Sequence, residues 1–155
     1  MAKKIKCHIC KKKSSTDPCE FCGAILTQPA PESPVLFTGG YLIEGKLKQL
    51  QGTFILTNQR LICTDVKAVD YVSGQFGIVG AAIGAAVQEA SKSKYADKCF
   101  SVPLSSIAVV KKHTKGMTRG YTIVTHDGYS WRVSFGKRKK WEAALAQFIQ
   151  ETDEK

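Results

Sequence analysis

"GTFILTNQRLICTD", residues 52–65, decides how this chain is read. Two short runs rich in β-branched and aromatic residues, 53–57 and 60–64, flank Asn58-Gln59. They are too short for helices and are bounded by turn formers, so the stretch predicts a β-hairpin. Asn-Gln is a poorer turn than Asn-Gly, because its second residue gains less from left-handed geometry. Beyond it, "KAVDYV" (67–72) can extend a third strand.

Further along, "KCFSVPLSSIAVVKKH" (98–113) holds two strand-like runs split by Pro103. "YTIVTHDGYSWRVSF" (121–135) is a clearer hairpin, with Asp127-Gly128 as a two-residue turn. That turn pairs Val124 with Trp131 and Thr122 with Val133. Tyr129, Trp131, Val133 and Phe135 alternate with Ser130, Arg132 and Ser134, as in a strand with one wet face. In the last segment, Trp141, Ala144, Leu145, Phe148 and Ile149 recur at three- and four-residue spacing. This predicts an amphipathic C-terminal helix whose apolar stripe covers the end of the sheet. Lys137, Arg138, Lys139 and Lys140 crowd its start, against the helix dipole, a placement that makes sense where the helix start meets a polyanion.

The N-terminal segment carries different chemistry. Cys7 and Cys10 ("CHIC") and Cys19 and Cys22 ("CEFC") form two pairs separated by eight residues. Two thiolates on one tight turn can reach a single Zn²⁺, and two such turns complete a tetrahedral shell. Gly23 after the second pair suits a knuckle that needs positive φ. A closed shell leaves no position for substrate or water, so the expected Zn²⁺, one per chain, is structural. The alternatives are disulfides or redox pairs; tandem pairs without a secretory signal favour metal. His8 is read as solvated, because four thiolates already fill the shell. Cys63 and Cys99, single and in apolar surroundings, are expected to be buried structural thiols.

"TQPAPESPV" (27–35) has three prolines in six positions, a short stiff linker. The expected division is a ribbon at 1–28, a linker at 29–35 and a second domain at 36–152, with loss of the first leaving the second folded. The first piece resembles the short zinc ribbons at the N-termini of many bacterial proteins. The second, from "GTFILTNQRLICTD" through "FSVPLSSIAVVKK" to the Asp-Gly hairpin and closing helix, resembles the bacterial pleckstrin-homology (PH) and GRAM-type group. That resemblance implies a bent antiparallel sheet of about seven strands, barrel-like, capped by a C-terminal helix. The departure from it is a glycine-rich insertion at about 73–94.

Net charge is +10 and uneven. Residues 1–28 carry +4 and residues 98–141 carry +9, whereas 29–97 cancel. Localised basic surface suggests polyanions, and a solvated surface is the plainer alternative. No GxxxxGK[ST], GxGxxG or acid–base constellation is present, and His113 and His126 read as surface histidines, so catalysis and a small-molecule substrate are not expected. The first reading is a cytoplasmic adaptor that meets protein partners or anionic lipid head groups at the inner face of the membrane. Its candidates are Lys111, Lys112, Lys115, Arg119, Lys137, Arg138, Lys139 and Lys140. Nucleic acid, through Lys3, Lys4, Lys6 and Lys11–Lys13 of the ribbon, is less favoured, because Phe21 alone offers a stacking surface there.

"GQFGIVGAAIGAAV" (74–87) is uncharged. A single span would put strands of one sheet on opposite sides of a bilayer. As a helix, Gly77, Gly80, Ala81 and Gly84 form a smooth face beside Phe76, Ile83 and Val87, and the absence of a polar face demands burial. A homo-oligomer contact is expected, with shallow membrane insertion second.

Overall fold

The computed structural model describes residues 3–27, 32–45, 48–69, 94–113 and 120–151. The glycine-rich residues Phe76, Gly77, Gly80, Ala81, Ile83, Gly84 and Val87 lie outside these, as do Lys115 and Arg119. Strands β1 (Ile5–Lys6) and β2 (Lys13–Ser14) form a small sheet. Among the described residues the main sheet has eight strands: β3 (Pro34–Glu44), β4 (Lys48–Thr57), β5 (Arg60–Ala68), β6 (Phe100–Pro103), β7 (Ile107–His113), β8 (Gly120–Thr125), β9 (Ser130–Phe135) and β10 (Ile149–Glu151). Its order is β10-β7-β8-β9-β3-β4-β5-β6, and helix α1 (Arg138–Ala144) precedes β10.

The expected hairpin at 52–65 is present: Leu56 pairs with Leu61 and Phe54 with Cys63 across Asn58-Gln59. The turn needs no left-handed residue, because Thr57 Oγ1 accepts the N–H groups of Gln59 (3.1 Å) and Arg60 (3.0 Å). Of the stretch 67–72, Lys67 and Ala68 belong to β5, and residues 70–72 lie outside the described ones. β5 runs on to Ala68 through an irregularity beside Asp65, whose φ of 57° turns the strand without ending it.

The sheet is open but strongly curled. Only the short turn Leu104–Ser106 separates β6, at one edge, from β7, near the other. Phe100 of β6 therefore stacks on Trp131 of β9 (centroids 4.4 Å apart), although β3, β4 and β5 lie between those strands in the hydrogen-bonded order. Gly40 allows the bend: a Cβ there would meet Ser134 O at 2.4 Å. The enclosed core includes Leu50, Phe54, Leu61, Cys63, Val110, Ile123 and Val133, and α1 closes it by stacking Trp141 on Phe135 at 4.1 Å.

Three expectations are corrected here. The Asp-Gly hairpin has a three-residue loop: Ile123 faces Trp131 and Tyr121 faces Val133. Gly128 takes φ 91° and Thr125 N–H donates to Tyr129 O at 2.9 Å, so the register slips by one. The slip puts Tyr121 and Ile123, rather than Thr122 and Val124, on the buried face. The C-terminal helix ends at Ala144; Ala146–Phe148 form a 3₁₀ turn and β10 pairs parallel with β7, satisfying backbone groups of its edge. Cys99 is exposed, just before edge strand β6, whereas Cys63 is buried and its thiol is pushed up to about 12 by burial.

The linker does not hold the N-terminal piece away from the sheet. Ile55 and Ile62 face each other on the outer side of β4 and β5. They are 0% and 2% exposed because Cys7, Ile9, Cys10, Cys19, Cys22 and Ala24 cover them in a second apolar cluster. This shared cluster argues against independent folding, since burying those two side chains contributes about 3–6 kcal/mol to the docked state.

Candidate metal centre

Each CxxC pair sits on the same backbone device. Lys11 N–H donates to Cys7 O (3.1 Å) and Cys7 N–H to Lys12 O (2.8 Å). In the second turn Gly23 N–H donates to Cys19 O (2.7 Å) and Cys19 N–H to Ala24 O (2.8 Å). The residue after each second cysteine has positive φ: Gly23 at 73° and Lys11 at 65°. Gly23 was legible in the sequence; Lys11, a non-glycine in the same strained place, was not.

The two turns face each other with all four Sγ atoms within 4.8 Å of one another. Cys7 Sγ lies 3.6 Å from Cys22 Sγ, and Cys10 Sγ 3.7 Å from Cys19 Sγ. A tetrahedral ion with metal–sulfur bonds near 2.3 Å requires sulfurs about 3.8 Å apart, so the donor set fits such an ion. Ile9 N–H points at Cys7 Sγ (3.4 Å), the kind of contact that favours a thiolate. Burial pushes the Cys10 thiol far up and the Cys22 thiol to about 11. Burial opposes the Cys19 thiolate too, but the amides of Phe21 and Cys22 outweigh it and its thiol falls below the usual range. The four buried cysteines lie close together and can hold a metal ion.

Arg60, from the hairpin turn, ties this centre to the sheet. Its Nη1 donates to Cys22 O (2.6 Å) and to Ser101 Oγ (3.1 Å). Its Nε and Nη2 fork onto Glu32 at 2.7 and 3.3 Å. Thr57 Oγ1 also donates to Glu32 (2.9 Å). Burial works against the Glu32 carboxylate, but these donors prevail and hold its pKa below the ordinary 4.5. On the other side Lys12 pairs with Asp65 at 2.5 Å and lies over the Phe21 ring.

Of the basic residues singled out, Lys111, Lys137, Lys139 and Lys140 are exposed, and Lys112 and Arg138 half-buried. Lys112 pairs with Glu142 (3.1 Å), whose other partner is Tyr121 OH (2.5 Å). His113 Nε2 lies 2.7 Å from Thr122 Oγ1, and exposed His126 donates its backbone N–H to Ser106 O (3.0 Å) in the corner turn. Among the described residues, no helix is long and apolar enough to cross a membrane.

No protein-family model matches the sequence, and neither does any curated protein. Among solved structures, the C-terminal domain of an unknown protein from Leishmania infantum is similar in outline, with a TM-score of 0.46 and 15% identity. That match covers 76% of this chain and 85% of the other, and a likeness this weak carries no argument about family or function.

Proposed function

We propose that this chain is a non-catalytic binding protein. A structural Zn²⁺, held by Cys7, Cys10, Cys19 and Cys22, clamps the ribbon onto a PH/GRAM-like sheet whose basic end docks on an anionic membrane surface. The four-thiolate donor set at tetrahedral spacing supports zinc, and a closed shell of this kind supplies folding free energy rather than chemistry. The observation that carries the docking is the grouping of exposed Lys137, Lys139 and Lys140 at the start of α1 beside a carboxylate, Glu142, already taken by Lys112 and Tyr121. Each basic residue near an anionic bilayer is worth about 1 kcal/mol, so a rim of this size can hold the chain reversibly at the surface. A peripheral position on the cytoplasmic face of the membrane follows from this reading. The nucleic-acid alternative is weakened by the capture of Lys12 by Asp65 and its cover over Phe21.

The test is co-sedimentation with vesicles of phosphatidylcholine, alone and mixed with phosphatidylglycerol, beside a nucleic-acid shift assay. Lys137→Glu/Arg138→Glu/Lys139→Glu should abolish binding to the mixed vesicles while barely moving the thermal midpoint, because acidic residues at a helix start suit its dipole. Wild-type protein that ignores the mixed vesicles at low salt removes the docking reading. Metal analysis should find one Zn per chain, and unchanged zinc content in Cys19→Ser defeats that assignment.

A further inference from the structure

The N-terminal cysteine segment covers only part of the outer face of the main sheet. It seals Ile55 and Ile62, and one row further along the strands a cavity of about 440 Å³ opens between segment and sheet. Small-molecule sites measure about 300–1,000 Å³, so this one is large enough. Its floor follows from strand register. Thr53 lies two residues from Ile55 on β4 and shares its face, and Gly39 of β3 stands directly opposite Thr53. Gln51, two residues further, lies between Tyr41 of β3 and Lys67 of β5. Gly39 leaves the floor bare, since a Cβ there would meet nothing within 4 Å. Phe37 and Tyr41 stand on the same face of β3, about 7 Å to either side of Gly39 along the strand. Both rings are exposed.

The facing wall comes from the two cysteine turns. Phe21 lies between Cys19 and Cys22, and Lys12 two residues after Cys10. Lys12 and Asp65, paired at 2.5 Å, cancel each other's charge where the wall meets the floor.

This lining selects one class of ligand. Gln51 and Thr53 each donate and accept, Lys12 and Lys67 donate, and the Asp65 carboxylate has acceptor positions beyond the one that Lys12 takes. An aliphatic ligand would strip these groups of water without replacing it, and an anion would meet the Asp65 carboxylate. A sugar ring satisfies them: every hydroxyl both donates and accepts, while the C–H faces pack on Phe21 and the bare floor. We propose that the cavity binds a neutral sugar ring, free or at the end of a glycan. Asp65 is the one carboxylate in its lining among the described residues. Glycoside hydrolysis needs a pair, so the sugar is held and not cleaved. Binding here uses none of the lysines at the start of α1, and it stands or falls apart from membrane docking.

Saturation-transfer NMR on the full chain tests this with glucose, galactose, mannose and N-acetylglucosamine. Cyclohexanol, a ring of similar size with a single hydroxyl, is the control. At least one sugar should bind with a Kd of about 1–10 mM, the range for a ligand of about twelve to fifteen heavy atoms in an open site. Cyclohexanol should not bind. Gly39→Val fills the floor with a side chain that suits a strand and has room, so it should abolish binding without lowering the thermal midpoint. Thr53→Val removes one hydroxyl at similar shape and should weaken binding about tenfold. The methyl glycoside of the bound sugar separates the two sources: a site for a glycan end tolerates the methyl group, and a site for free sugar rejects it. The assignment is overturned if no sugar gives a signal at about 20 mM, if Gly39→Val binds as wild type does, or if cyclohexanol binds as well as the sugars.

Discussion

Replacing Ile62 with Ala tests whether the metal centre is part of the stability of the main sheet. Ile62 lies on the outer side of β5, where a sheet standing alone would meet water, yet it is 2% exposed because the N-terminal cysteine segment covers it. Truncating a buried Ile to Ala costs about 2–5 kcal/mol. At a solvated strand position the same change costs only the difference in strand preference, about 1 kcal/mol or less. Ile62→Ala should therefore lower unfolding free energy by about 3 kcal/mol in metal-loaded protein and by about 1 kcal/mol once chelation releases the ribbon. Urea unfolding followed by tryptophan fluorescence measures this well, since Trp141 is 1% exposed inside the main core and reports on the sheet, not the ribbon. A cost that is the same with and without metal, within about 0.5 kcal/mol, refutes the coupling. So does a cost below that value in the loaded protein.

Lys11→Gly should stabilise the loaded protein by about 0.5–1 kcal/mol, because it relieves a left-handed non-glycine at φ 65° and gives up part of the gain as unfolded-chain entropy. Gly23→Ala, at φ 73°, should cost about 1 kcal/mol, and chelator competition reads both. Arg60→Lys keeps the charge but loses the fork onto Glu32 and the reach to Cys22 O, and should lower stability by about 1–3 kcal/mol in urea titration. Because the Glu32 pKa is lowered, the folded state binds its proton less readily than the unfolded chain does. Its contribution is thus complete above the ordinary 4.5 and is lost as pH falls through the lowered value. The difference in thermal midpoint between wild type and Glu32→Gln should shrink over that window; a constant difference contradicts the assignment.

The clustering of Cys7, Cys10, Cys19 and Cys22 was readable from spacing alone, because two residues between cysteines set the reach of both thiols from one turn. Short-range alternation likewise marked the hairpins at 52–65 and 121–135. The slipped register of the second depended on whether Gly128 sits in the middle or at the end of its loop, which local pattern does not distinguish. The early end of the helix had the same origin: Leu145, Phe148 and Ile149 repeat at helical spacing, but unpaired groups on the edge of β7 drew the last of them into β10. One signal was present and unused. "TFILT" and "RLICT" are apolar at consecutive positions, the mark of strands buried on both sides, and the cover is the N-terminal cysteine segment. Sequence by itself picked out the four cysteines that can hold a metal ion, since turn geometry acts over a few residues. Only the tertiary structure decided what those cysteines hold in place, because Ile55, Ile62 and Arg60 meet the cysteines by packing across some forty residues of chain, where area and shape, not spacing, select the contact.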